Sequence, residues 1–113
     1  MWKKLNFDYD EENDILSLYT KEEYKGSISL FGLTIDFAKN MNIKGVEIPQ
    51  ATKFFSELSE KKITSEDLKV ISEPQLNVKA VGKMLYAQVD LKMNSESLIV
   101  PLTMDNPTYI PSY

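Results

Sequence analysis

Five carboxylates fall within seven consecutive positions close to the start of the chain. Because Ca²⁺ and Mg²⁺ prefer several oxygen ligands, Asp10, Glu12 and Asp14 are the candidate ligands for a divalent metal. The spacing argues against a specific site, since an EF-hand loop that began at Asp10 would need glycine at Ile15 and a bidentate carboxylate at Lys21. We therefore expect a solvated hairpin turn here and assign no metal ligand.

A second pair of carboxylates, Asp36 and Glu47, lies on two neighbouring predicted strands. If they opposed each other across the sheet, one of them would have a raised pKa and could serve in acid–base chemistry. Lysines surround both positions, at Lys39, Lys44 and Lys53. Ordinary cross-strand charge pairing is therefore the expected role, and we assign no catalytic residue.

The composition removes several kinds of chemistry. The chain has no cysteine and no histidine, and all 13 of its basic residues are lysines. It therefore offers no thiolate or imidazole for catalysis or zinc binding, and no guanidinium to grip phosphate or guanine. A net charge of −4 opposes binding to nucleic acid or to an anionic membrane. We expect no cofactor and no direct nucleic-acid partner.

Length and patterning predict one domain. With 113 residues, of which 42% are hydrophobic and 27% charged, the chain fits one globular core. No apolar run approaches the roughly 18 residues of a membrane span, and the first ten residues lack the apolar core of a signal peptide. A cytoplasmic, soluble protein without a membrane partner is expected. The single domain, 1–113, divides into parts at 5–55, 75–104 and 105–113.

The first half of the chain reads mainly as strands. Leu5, Phe7 and Tyr9 alternate with polar residues, which is the period of a strand with one buried face. Further strands are predicted at 15–20, at 27–38 with a bend at Gly32, and at 43–48, with a charged loop at 21–26. These strands are expected to form a β-meander.

The pattern then becomes helical. Ala51, Phe54, Phe55 and Leu58 fall on one face of a helix predicted from about residue 50 to 60, and this face should cover the meander. A second, short helix is predicted from a capping box at Thr64, with its end near residue 72.

Three further strands are predicted at 76–81, 85–93 and 98–104. Pro101 places the last of them at a sheet edge, because proline lacks the N–H that a second neighbour would require. The fold class is therefore α+β, with mainly antiparallel strands in one curved sheet or two adjoining sheets and the central helices on one face.

Three pieces of the sequence carry a family resemblance: the acidic turn from Tyr9 to Leu18, the pair Ile35-Asp36, and Gly45-Val46-Glu47-Ile48 ahead of Ala51-Thr52-Lys53. In order and spacing they resemble a small prokaryotic domain of unknown function, DUF2283, over about residues 5–55. The resemblance implies a meander capped by a helix. It implies no activity and supplies no catalytic residue.

The exposed aromatic residues give the best functional lead. We expect Tyr86, Tyr109, Ile110 and Tyr113 to contribute to an interface, because aromatic side chains favour interface cores. The predicted function is a non-enzymatic interaction module that acts as a homodimer or with a small protein partner. A small-molecule or divalent-metal binding domain is the alternative, and a carboxylate-based enzyme is a more remote one.

Overall fold

A computed structural model describes residues 2–107, which form two five-stranded antiparallel sheets and two helices. The elements in chain order are β1 (Trp2–Lys4), β2 (Asn6–Asp10), β3 (Ile15–Tyr19), β4 (Tyr24–Leu30), β5 (Leu33–Ala38), β6 (Ile43–Ile48), α1 (Ala51–Ser59), α2 (Ser65–Lys69), β7 (Ile71–Val81), β8 (Met84–Met93), β9 (Glu96–Pro101) and β10 (Met104–Asp105). The predicted mixture of antiparallel sheet with short central helices is confirmed.

The N-terminal sheet, formed by β2 to β6, has the strand order β2-β3-β6-β5-β4. The expected simple meander is wrong at one point, because β3 pairs with β6 and β4 lies at the far edge. The chain leaves β3, crosses to that edge and returns through two hairpins. This order places β6, the strand that leads into α1, at the centre of the sheet.

The C-terminal sheet is formed by β1 and β7 to β10, and the first strand links it to the N-terminal sheet. β1 pairs with β7, whereas β2, one residue further on, pairs with β3. Between them the Leu5 N–H donates to the Pro74 carbonyl at 2.9 Å, and the Leu5 side chain is buried. One nearly continuous extended segment thus belongs to both sheets.

The strand expected over residues 27–38 is two strands. β4 and β5 form a hairpin whose turn residues, Phe31 and Gly32, have φ values of 50° and 81°. The charged loop expected up to residue 26 is correspondingly shorter, because β4 begins at Tyr24. The turn escaped the sequence pattern because phenylalanine is not a turn-forming residue.

The C-terminal strands also differ in detail from the expectation. β7 begins at Ile71, so it takes residues that were assigned to the end of the second helix. The last predicted strand is divided into β9 and β10, and both pair with β8. Pro101 lies at the break, where the Leu102 N–H donates to the Ala87 carbonyl at 2.8 Å. Within the described chain, Pro101 therefore lies on an edge strand.

A single buried cluster of apolar side chains joins the two sheets and the helices. α1 contributes Ala51 and Phe55, both fully buried, while Phe54 is only partly buried against the cluster. α2 has the capping box expected from its sequence: the Thr64 hydroxyl accepts from the Asp67 N–H, and the Asp67 carboxylate accepts from the Thr64 N–H.

Gly45 in β6 allows the central strands of the N-terminal sheet to approach. A Cβ atom at this position would lie 2.5 Å from the Leu18 carbonyl oxygen of β3, which is a backbone atom and cannot rotate away. At Gly26, in the edge strand β4, a Cβ atom would have no such neighbour within 4 Å, and this glycine has no positive φ.

We predict that Gly45→Ala lowers the free energy of unfolding by about 2–3 kcal/mol, because the added methyl group must push the strands apart. Gly26→Ala is the matched control and should change stability by less than about 1 kcal/mol. Urea denaturation of both variants measures the difference. Equal effects of the two substitutions would contradict the close approach.

Candidate functional site

The acidic turn is joined to the start of α1 by Asp14. Its carboxylate accepts hydrogen bonds from the Thr52 hydroxyl at 2.6 Å and from the Thr52 N–H at 3.2 Å. The Asp14 carbonyl accepts from the Ala51 N–H at 2.9 Å. The residue at the N-cap position, Gln50, makes no side-chain cap. Asp14 therefore takes the capping role from a distant part of the chain, and its charge interacts favourably with the helix dipole.

Tyr9 completes this connection. Its hydroxyl donates to the Asp14 carboxylate at 2.6 Å. Burial of the hydroxyl, and then its hydrogen bond to Asp14 and the nearby negative charge, raise the pKa of Tyr9 well above its usual value. The phenol therefore stays protonated and keeps donating at every physiological pH.

The other carboxylates of the turn do not converge on one point. Asp10 accepts from the backbone and side-chain N–H groups of Asn13, and these bonds hold the pKa of Asp10 below its usual value. Glu11 forms an ion pair with Lys69 of α2, and the Glu12 side chain is exposed. Within residues 2–107, no group of three or more acidic residues is arranged to hold a metal ion. The turn functions as a structural joint.

Asp36 and Glu47 do not face each other. Asp36 lies opposite Gly45, and Glu47 lies opposite Thr34 and Ser17. The expected opposition was wrong by two residues, because the register of β5 against β6 depends on an irregularity after Asp36 that the sequence pattern does not reveal. The geometry for a shared proton between these carboxylates is absent.

The outer edge of β4, which we call the β4 edge, is one of the two outer edges of the N-terminal sheet. β4 is seven residues long and pairs only with β5 among the described strands. Ile28 points to the core face but is 43% exposed, because it lies at the end of the sheet. Between Ser27 and Leu30 the strand has no charged residue and no proline. Such an edge can accept another strand.

Phe31 extends this surface at the tip of the hairpin. Its side chain is 89% exposed, and its backbone has the left-handed conformation that favours glycine or asparagine. A bulky residue in this conformation costs on the order of 1–3 kcal/mol. Phe31 gains almost no burial within the chain in exchange for this cost.

Three other outer strands carry features that disfavour strand addition. β1 has only three residues, β2 carries Asp8 and Asp10, and β9 ends in Pro101. Short length, charge and proline are the usual means by which proteins prevent edge-to-edge pairing. Apart from Lys25 and an irregularity near Gly26, both at the start of the strand, the β4 edge lacks these protections.

Two consecutive side-chain hydrogen bonds on the outer face of the sheet connect β4 to β5. The Ser27 hydroxyl donates to the Asp36 carboxylate at 2.6 Å. Because serine has one hydroxyl proton, Tyr24 must be the donor in its 2.8 Å contact with Ser27. These bonds hold the edge strand in an extended, preorganised form.

Of the interface residues expected from the sequence, Tyr86 lies on the outer face of the C-terminal sheet and is 47% exposed. Tyr109, Ile110 and Tyr113 lie outside residues 2–107, which the structure describes. The β4 edge escaped sequence reasoning because the hairpin that creates it was interpreted as one strand.

A cleft of about 620 Å³ lies between the two sheets, at the end of β6 opposite the acidic turn. The polar positions of its wall are Asn40, Asn42, Asn106 and Lys3. Apolar side chains form the rest of the wall: Trp2, Met41, Ile43, Leu76, Val78, Ala80, Leu85 and Pro107. Lys3 is paired with Glu22 at 2.6 Å, so the cleft carries little net charge. We call this the intersheet cleft.

The family resemblance is confirmed: residues 6–51 match the model of a protein of unknown function, DUF2283. The matched segment begins with β2 and ends at Ala51, so it comprises the N-terminal sheet and the Ala51 N–H that donates to the Asp14 carbonyl. The C-terminal sheet lies outside this segment, with β1 before it and β7 to β10 after it.

Two curated proteins are similar to the chain. "Putative hypoxanthine phosphoribosyltransferase" from Methanosarcina mazei is 25% identical over 100 residues, which cover 88% of this chain and 76% of that protein. An uncharacterised protein from Methanocaldococcus jannaschii is 39% identical over 54 residues, which cover 47% of this chain and 47% of that protein. No solved structure matches the chain. Within the part that the structure describes, no helix is long and apolar enough to cross a membrane.

We predict that Asp14→Ala lowers the free energy of unfolding by about 2–3 kcal/mol, because the Tyr9 and Thr52 hydrogen bonds and the helix cap are lost together. Asp14→Asn keeps an acceptor and tolerates the positive φ, so it should cost about 1 kcal/mol or less. Asp8→Ala, on the exposed face of β2, is the control. Urea denaturation would contradict the capping role if Asp14→Ala cost no more than Asp8→Ala.

Proposed function

We propose that the protein is a small, cytosolic, non-enzymatic interaction module that self-associates by adding a strand at the β4 edge. The observation that carries this proposal is the contrast among the outer strands: β1 is short, β2 is charged and β9 ends in proline, whereas β4 has its single charge and its irregularity near its start. Strand addition gives affinity through main-chain hydrogen bonds and specificity through the alternating side chains.

The exposed apolar residues at this edge support the proposal. Ile28 and Phe31 are 43% and 89% exposed, and Tyr24 beside them is 54% exposed. Charged residues are few here, which is typical of the core of an interface. Self-association through the C-terminal candidates, with Tyr86 and the residues after 107, stays a prediction that the same measurements compare.

The residues of this chain do not favour phosphoribosyl transfer, the activity in the name of the Methanosarcina mazei relative. A substrate that carries phosphate is commonly held by the N–H groups at a helix N-terminus or by arginine. The chain has no arginine, and the first turn of α1 is already occupied by the Asp14 carboxylate. The start of this helix is thus closed to an external anion.

The intersheet cleft supports a second candidate function, the binding of a neutral, largely apolar small molecule. Its volume lies within the range of ligand sites, and its wall combines apolar side chains with a few amides. The acidic turn is not at the mouth of this cleft, because it lies at the other end of β6.

For the β4 edge, we predict that Ser29→Pro weakens self-association at least about tenfold, because the substitution removes an outward N–H and leaves the ladder with β5 intact. Ser29→Ala keeps that N–H and is the matched control. Sedimentation equilibrium across a hundredfold dilution, starting near millimolar concentration, measures the mass against the monomer value of 13.0 kDa.

A monomer at every concentration would remove self-association from the proposal. If Ser29→Pro and Ser29→Ala associated equally, while truncation after Met104 prevented association, the C-terminal candidates would form the interface and the β4 edge would not.

For the intersheet cleft, we predict that a neutral probe, N-phenyl-1-naphthylamine, quenches the emission of Trp2, the only tryptophan, in a saturable manner. Ala80→Phe fills the cleft and should weaken binding at least about tenfold. Val81→Phe is the control, because Val81 lies on the opposite face of β7. Titrations that do not saturate, or that respond equally to both substitutions, would exclude the cleft as a site.

A further inference from the structure

The geometry of the β4 edge points to one partner and one register. We infer that the edge pairs with β4 of a second copy, antiparallel, about a two-fold axis through Ile28, so that the two N-terminal sheets join into one continuous ten-stranded sheet. This inference rests on the proposed function and specifies its partner.

The hydrogen-bonding pattern of the hairpin determines which groups face outward. A two-residue turn is flanked by a hydrogen-bonded pair, here Leu30 and Leu33, and hydrogen-bonded pairs alternate along the strands. Ile28 therefore directs its N–H and C=O toward β5. Ser27 and Ser29 direct theirs to the open edge, where they are available to a second strand.

With the axis through Ile28, the outward N–H and C=O groups of Ser27 and Ser29 all form hydrogen bonds with the second copy. It places Ser27 of one copy opposite Ser29 of the other, as a hydrogen-bonded pair, and repeats the pair by symmetry. Ile28 then meets its own copy as a non-hydrogen-bonded pair, in which side chains lie closest. The uncovered part of the Ile28 side chain becomes buried against an identical apolar side chain.

The ends of the strand favour the same register. Gly26 lies opposite Leu30 of the second copy, where the absence of a side chain leaves room for the leucine. Lys25 lies opposite Phe31, so the ammonium of one copy can approach the exposed ring of the other. The two Lys25 residues, the only charges between residues 24 and 31, are kept apart.

The absence of cysteine makes this register directly testable. In the inferred dimer, the Cα atoms of the two Ile28 residues are about 4.5 Å apart, within the span of a disulfide. Those of the two Ser27 residues, and of the two Ser29 residues, are about 8 Å apart and cannot be bridged. Ile28→Cys should therefore cross-link efficiently in a glutathione redox buffer, whereas Ser27→Cys or Ser29→Cys alone should not.

A mixture provides the matched positive control. Equal amounts of Ser27→Cys and Ser29→Cys should form a cross-linked dimer, because these positions face each other across the axis. Non-reducing electrophoresis gives the dimer fraction of each sample. We expect at least a fivefold excess for Ile28→Cys, and for the mixture, over either serine variant alone. In the natural chain, without introduced cysteines, Phe31→Ala should also weaken association more than Val81→Phe does.

The outcomes separate the two proposals. Strongest cross-linking by Ser27→Cys alone would move the axis and overturn this register. Cross-linking by none of the samples, in a chain whose association is still lost in Ser29→Pro, would likewise overturn it while the β4 edge stands as the interface. A chain that stays monomeric throughout would overturn both the self-association and this inference.

Discussion

The shared first strand is the constraint on which the architecture depends. β1 and β2 are separated by one residue, yet they pair with strands about seventy and ten residues further along the chain. Leu5 lies at the crossing, buried, with its N–H bonded to Pro74. Because the same extended segment supplies a strand to each sheet, neither sheet can rotate freely against the other, and the apolar cluster between them stays continuous.

The second joint lies at the opposite end of β2, where Asp14 connects the first hairpin to α1. A charged side chain in a turn would ordinarily contribute little to stability, but this one satisfies backbone N–H groups that the helix cannot satisfy itself. The family segment ends where this contact is made. The acidic turn and the residues after β6 are therefore best understood as two halves of one structural feature, which explains their pairing in the family resemblance.

These two joints leave the molecule with unequal edges. Of the outer strands at the joints, β1 has only three residues and β2 carries two aspartates. β4 is furthest from both joints in the strand order of its sheet, and its exposed groups have no role in the core. The functional proposal follows from that position: at this edge Phe31 has a strained backbone and Ile28 is exposed.

The sequence by itself determined the fold class, the strand at β8 with its alternating burial, the Thr64 capping box and the family resemblance, because these depend on contacts within a few residues or on local periodicity. It also removed thiolate, imidazole and guanidinium chemistry, since composition alone decides which groups exist. Tertiary structure decided the rest. The period of a strand is the same on both sides of a hairpin, so the turn at Phe31 could not be distinguished from an extended run. Strand order, the register that separates Asp36 from Glu47, and the capping of α1 by Asp14 all depend on residues far apart in the chain, and only their packing brings those residues together.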